Sequence, residues 1–346
     1  MASITNSNIS VEETPVQLVK FRPNGRVATP LSPSPQAASD IIVSLYQSTS
    51  GTSFDPRCRH SLLLSSAETS RNPFFHQACV YDPEHEELFV TSNLLQSTTS
   101  STLPIILISR VVLHRSDAGH VESVEWMKLR PPPNMAMPAG AAAYRGGVLY
   151  CSQGNLTAGT GGLYYMPRGK PPEGVVTSFY EREFNSPHDV VVTQDGSLWF
   201  TDPYHGFEKD FRPRPQLPCH LYRFNPDTED IRVMADGLGR PTGLAFSPDE
   251  STVYVTDTDA VRGNGDQSSS RAATIYAFDV IMRAGSPFLA NKRIFAFPLR
   301  GIPMGIKCDT NGYVYAGCAD GLEIWNPGGT LQAVIEVPGK FPLIHA

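Results

Sequence analysis

Gln77, His188, Thr242 and Met304 occupy one position of a repeated pattern: each opens an apolar strand, seven residues before a turn residue, Glu84, Asp195, Asp249 and Asn311 respectively. Of the four, His188 can both give and take a proton near neutral pH. Gln77 and Thr242 can orient a ligand by hydrogen bonds, and Met304 offers a polarisable apolar surface. The set contains no carboxylate, so it is a poor nest for a hard cation, which needs several oxygens and preferably their charge. One imidazole, one thioether and two neutral oxygens match no common transition-metal site either. The expectation is proton transfer and orientation at His188, Gln77 and Thr242 with no metal and no cofactor. The alternative is a histidine that only hydrogen-bonds Gln77 or Thr242.

The elements that must bring these residues together are legible as repeats. An apolar strand, a polar turn and a second alternating strand recur from His76, Ala141, His188, Thr242 and Met304, with the aromatic marker of the second strand at Phe89, Tyr150, Trp199, Tyr254 and Tyr315. The markers lie 61, 49, 55 and 61 residues apart, the size of a four-stranded propeller blade with generous loops. The expected fold is therefore all-β, a single six-bladed β-propeller over residues 1–346 with its ligand site at the central channel. Five blades are visible. The sixth is expected from the N-terminal segment 1–69 (VQLVKF, IIVSLY, HSLLLSS) joined by the tail TLQAVIEV. The polar stretches at 30–36, 96–102, 130–138 and 262–271 are expected to be surface loops.

Other residues near the strand ends complete the candidate site. Phe75, Phe184, Tyr204 and Met304 would make the channel mouth apolar, and Gln153 and Asn155 in CSQGN would line it, an arrangement suited to a hydrophobic ligand. His76, beside Gln77, is expected on the opposite strand face, in packing. Ser186-Pro187-His188-Asp189 is not read as a hydrolytic triad, because adjacent strand residues face opposite ways and no GxSxG elbow is present. Asp202 and Asp257 read as hydrogen-bonding turn residues.

Bulk properties narrow the partners. The chain has 346 residues, a formal net charge of -6 and no basic stripe, so no nucleic acid is expected. The first twenty residues lack a signal-peptide pattern and no apolar run approaches a membrane span, giving an expectation of a cytoplasmic protein without membrane contact. The six cysteines form no CxxC pair and are expected to be reduced and structural. Hydrophobic small molecules are the expected partners, and homo-oligomerisation stays open.

FFHQACVYDPEHEELFVTSN, FNSPHDVVVTQDGSLWFTDPYHG, GRPTGLAFSPDESTVYVTDT and GIPMGIKCDTNGYVY resemble the signatures of the SMP-30/gluconolactonase/LRE-like family over roughly residues 70–330. In that family the positions of Gln77, His188, Thr242 and Met304 are usually Glu, Asn, Asn and Asp, and they hold a divalent cation, often calcium, that activates a lactone. This sequence departs at all four. Within the family, the chain resembles fungal hetero-Diels-Alderases of tropolonic sesquiterpenoid biosynthesis, proteins of secondary metabolism. That resemblance implies dehydration of a hydroxymethyl tropolone to an o-quinone methide and its cycloaddition to a terpene alkene such as humulene. A lactonase-type hydrolase and a non-catalytic binding propeller remain open beside it.

Overall fold

Alternating strands of three to eleven residues, separated by turns rich in Gly, Asp and Asn, pair antiparallel with their sequence neighbours. Each run of four then forms one small twisted sheet. The computed structural model describes residues 5–20, 29–30, 41–46, 59–65, 74–95, 104–319 and 321–337. Among them five such sheets radiate from a common axis, with inner strands Phe75–Asp82, Pro138–Tyr144, Val190–Val192, Pro241–Phe246 and Ile306–Cys308. The expected sixth blade is not formed among the described residues. The tail strand Leu331–Glu336 is the fourth strand of the fifth blade. Ile42–Leu45 pairs antiparallel with it, and Gln17–Lys20 then adds parallel to Ile42–Leu45. Thr5–Ser10 instead extends the outer edge of the first blade through Val121–Leu129, and Arg59–Ser61 pairs with Glu13–Pro15. The N-terminal segment thus covers the outer edges of two blades, protecting exposed edge strands, where a separate sheet was expected.

The blades are locked to one another near the axis by a repeated hydrogen bond. A threonine at the end of the second strand donates to the carbonyl at the start of the next inner strand: Thr91 to Ala139 at 3.1 Å, Thr201 to Thr242 at 2.8 Å, Thr256 to Met304 at 2.7 Å. The close approach requires glycine after the ring residue. A Cβ on Gly140 would stand 2.5 Å from the His188 carbonyl oxygen, and one on Gly243 would stand 2.4 Å from that of Met304, distances no side chain tolerates. Between blades lie the apolar clusters. The aromatic markers are among the most buried side chains, with Tyr150 at 0 % and Trp199 at 2 % exposure.

The polar stretch at 130–138 departs from expectation in part, because Met135 and Met137 are buried in it and join apolar clusters. The 262–271 stretch is a surface loop closed by the Val261–Gln267 bridge. Residues 31–36 and 96–102, the closing residues 338–346 and Cys58 lie outside the described residues. The other five cysteines are free thiols. No helix among the described residues is long and apolar enough to cross a membrane.

Candidate functional site

The axial ends of the inner strands bring Gln77, His188 and Thr242 together, as the repeat register predicted. The Gln77 side-chain amide donates to Nε2 of His188 at 2.9 Å, and Nδ1 of His188 faces the Thr242 carbonyl oxygen at 3.3 Å. This pattern assigns the tautomer protonated on Nδ1 and makes His188 a bridge from the first blade to the fourth. Met304 takes the equivalent place on the fifth blade, and Ala139, on the second, shares the threonine-to-carbonyl bond of the other ring positions. Beneath the ring the channel narrows to a cavity of about 20 Å³ lined by Gln77, His188, Asp189, Thr242 and Lys307 among others, roughly the room one water needs.

The mouth is built by a feature that the repeats do not contain. Blade three sends out one helical turn, His205–Glu208, after its second strand. His205 Nε2 lies 3.1 Å from the Thr242 hydroxyl, and its ring packs edge-on to His188 at 4.9 Å between centroids. Glu208 Oε2 stands 3.9 Å from His205 Nδ1, accepts the Gly263 N–H at 2.9 Å and is bound through its other oxygen by Arg240 at 2.6 Å. Arg240 also stacks over the Tyr204 ring at 4.8 Å. Lys209 follows at the end of the turn.

Electrostatics separate the roles of these groups. Burial holds His188 well below the usual histidine range, helped by the charges of His205, Lys209 and His76, so it is neutral at physiological pH. His205 is lowered by burial and partly restored by Glu208. Burial alone would raise Glu208, but hydrogen bonds from His205 and Arg240 hold it at about 2. The Lys209 amine is lowered, chiefly by desolvation, with the Glu208 charge opposing. Lys209 is thus an amine of lowered basicity, coupled by its charge to His76, His188 and His205.

His76, expected on the opposite strand face, is half-buried and lowered to about 3, first by burial and then by the charges of Lys209 and His205, so it is electrostatically coupled to the site. Its strand is bulged: pairing of Phe75–Asp82 with Glu87–Ser92 slips on either side of Gln77, and Ala78 has φ +54°. A bulged strand loses strict alternation and re-aims its side chains.

Several other candidates belong to the scaffold. Phe184 is 1 % exposed and packs at 5.1 Å against Phe200 and 5.2 Å against Tyr222, because its strand end turns into the third blade's core. Phe75 packs edge-on against Phe74 and Trp126 of its own blade. Gln153 accepts a 3.3 Å hydrogen bond from Ser186, joining blades two and three, while Asn155 organises its own loop through Thr157 and Thr160. Tyr204 lies under the Arg240 guanidinium, beside the helical turn. Asp189 receives the Leu244 N–H at 3.0 Å, a clip between blades three and four, so no triad forms with His188. Asp202 receives the N–H groups of Asn185 and Ser186, and Asp257 those of Gly239 and Arg240, the turn role read for both.

The histidine cluster makes the protein acid-sensitive. A base whose folded pKa lies below its unfolded value contributes stability above the unfolded pKa, and that stability is lost as pH falls toward the folded one. For His76 the window runs from 6.5 down to about 3. Asp202, raised to about 7 by burial, acts oppositely and gains as pH falls from 7 toward 3.8. Comparison with a variant isolates the histidine: the stability advantage of His76→Gln over wild type, measured by urea midpoint, is expected to grow as pH drops from 7 to 5. A pH-independent difference would remove His76 from the cluster.

A β-propeller with a polar axial ring and an acid–base cluster over one mouth defines the class. The chain belongs to the SMP-30/gluconolactonase/LRE-like family, whose model matches residues 106–345. It is 32 % identical over 289 residues to the lactonohydrolase oryL of Aspergillus oryzae, covering 78 % of this chain and 62 % of that one. To the gluconolactonase of Zymomonas mobilis it is 27 % identical, covering 63 % and 58 %. The chain therefore spans about three-fifths of the length of these relatives. Among solved structures, a gluconolactonase from Xanthomonas campestris superposes with TM-score 0.58 at 25 % identity over 78 % of both chains. A calcium-binding regucalcin from Agrobacterium tumefaciens superposes at 0.54 and 17 % over 79 % and 78 %, a likeness of fold.

The calcium implied by the family does not fit this ring. Gln77 turns its amide donor, not its oxygen, toward His188, the Thr242 hydroxyl is shared among His205, Thr258 and the Arg240 carbonyl, and Met304 supplies sulfur. A hard cation would find neither the carboxylate charge nor the free oxygens it needs.

Proposed function

We propose that this propeller is a metal-independent cyclase of the hetero-Diels-Alder type, acting on a hydrophobic small molecule at the channel mouth. The observation that carries the reading is the axial ring itself: four side chains without formal charge, with a neutral His188 locked between Gln77 and Thr242, and with Gln77 and Met304 at the two positions where the family usually has Glu and Asp. Such a site suits a neutral conjugated substrate held by hydrogen bonds and shielded from water. A hydroxymethyl tropolone fits that description. Its C–O bond breaks as Lys209 protonates the departing hydroxyl, water leaves, and the ring hydroxyl gives its proton to His205 or back to Lys209, leaving the o-quinone methide. One C–C and one C–O bond to a terpene alkene then close the new ring without further proton transfer. His188 and Gln77 orient the tropolone oxygens.

A second reading, lactone hydrolysis, is favoured by one specific feature. His205 stands between the Thr242 hydroxyl and the Glu208 carboxylate, where an imidazole could take a proton from water attacking a lactone. Relatives named lactonohydrolase and gluconolactonase support it.

One assay separates the two. Protein is incubated with a hydroxymethyl tropolone and humulene, and in parallel with gluconolactone, each with and without a chelator. Stereoselective adduct above the buffer rate, unchanged by chelator, is the expected result. Lactone hydrolysis with racemic adduct would transfer the protein to the second reading.

A further inference from the structure

We propose a second small-molecule site, between the first and second blades, that takes an apolar molecule carrying a single carboxylate. Where two blades should close into a dense core, they leave a cleft of about 740 Å³, within the range of ligand pockets of roughly 300–1,000 Å³. It shares no lining residue with the small axial cavity. It opens among the turns distal to Gln77, around Asp82–Pro83, Tyr144–Gly147 and Pro167–Pro172, and along Leu129–Pro132.

Two properties of the lining select the ligand. The walls are apolar, with Phe89, Ile108 and three methionines, Met127, Met135 and Met166, side chains that adapt to irregular apolar shapes. Six prolines, Pro83, Pro131, Pro132, Pro167, Pro171 and Pro172, stiffen the rim, so little conformational entropy is lost when the cleft is filled.

Charge supplies the second. The lining carries five cations, Arg110, Arg130, Arg145, Arg168 and Lys170, against two carboxylates, Asp82 and Glu87, on a chain whose net charge is -6. Glu87 is nearly inaccessible at the floor and is clamped by both Arg168 nitrogens, at 2.6 and 2.8 Å, and by Arg110. Burial alone would raise its carboxyl, and the two guanidinium groups hold it at about 2, so it stays ionised and fixes both arginines in place. Each guanidinium has five N–H donors. Arg168 uses two on Glu87, while Arg110 uses one there and one on the Met127 sulfur at 3.6 Å. Donors remain on a pair of pre-set, partly exposed forks held over the floor carboxylate of an apolar cleft, an arrangement matched to a carboxylate head with a greasy body.

The test uses the full chain and 8-anilinonaphthalene-1-sulfonate as fluorescent probe, displaced by decanoate and by 1-decanol below their aggregation limits. Decanoate is expected to displace the probe at least tenfold better than decanol. The double variant Arg130→Glu/Lys170→Glu, confined to the rim, is expected to weaken decanoate at least tenfold without changing the melting temperature. Ala143→Trp, which fills the cleft from an exposed position, is expected to abolish displacement. Equal affinity for decanoate and decanol, or decanoate binding untouched in both variants, would overturn the proposal. Adduct formation at the channel mouth should persist in all three proteins, so failure here is distinguishable from failure of the axial-site reading.

Discussion

Lys209→Met is expected to lower adduct formation by about 10²–10⁴-fold, the usual worth of a positioned general acid, while the melting temperature stays within a degree or two. Lys209 is an exposed residue whose amine is desolvated, and Met keeps the length and apolar stem of the side chain, so the change removes the ammonium with little loss of packing. The reasoning depends on what the ammonium sees. Its charge lowers His76, His188 and His205 alike, so its removal should move all three upward, an effect visible by NMR titration of the imidazoles and independent of turnover. Lys209→Arg separates the two contributions. A guanidinium keeps the charge but cannot release its proton in the working pH range, so the histidine titrations should remain near wild type while turnover stays low. If Lys209→Arg restores turnover, the lysine acts by its field alone and proton donation must be sought at His205.

The axial ring was legible because it is written in the repeat: a fixed spacing of seven residues to each turn places Gln77, His188, Thr242 and Met304 at equivalent strand ends, and strand pairing then does the rest. What surrounds the ring was not. His205, Glu208 and Lys209 sit on a single helical turn inserted into one blade only, where no periodicity can point to them. A signal was nevertheless present: His205-x-x-Glu208-Lys209 spaces an imidazole, a carboxylate and an amine on adjoining faces of one turn. The bulge at Ala78 was not legible either, because alternation assumes a regular strand. Blade number failed for a different reason. Strands of the N-terminal segment pair with distant partners, Thr5 with Met127 and Ile42 with Glu336, so their addition to existing blades one and five is decided by tertiary pairing rather than by local pattern.

Phe200→Ala is expected to destabilise the protein by about 3–5 kcal/mol, read as a fall in the urea midpoint with unchanged slope. Phe200 is fully buried between Phe184 at 5.1 Å and Tyr222, which stacks on it at 5.3 Å, and three rings leave a void that neighbouring strands cannot close. Phe200→Leu, which keeps more of the volume, should cost distinctly less. The effect should extend to the site, because Thr201, the next residue, accepts the His188 N–H at 2.9 Å and donates its own to Asp189 at 3.1 Å. A core that shifts at Phe200 moves the backbone that holds His188 against Gln77. Turnover measured far below the unfolding transition should therefore fall in Phe200→Ala by more than the folded fraction accounts for. Wild-type turnover under those conditions would mean that the axial ring is held by the blade-to-blade hydrogen bonds of Thr201 and Asp189 alone, without help from the aromatic core behind it.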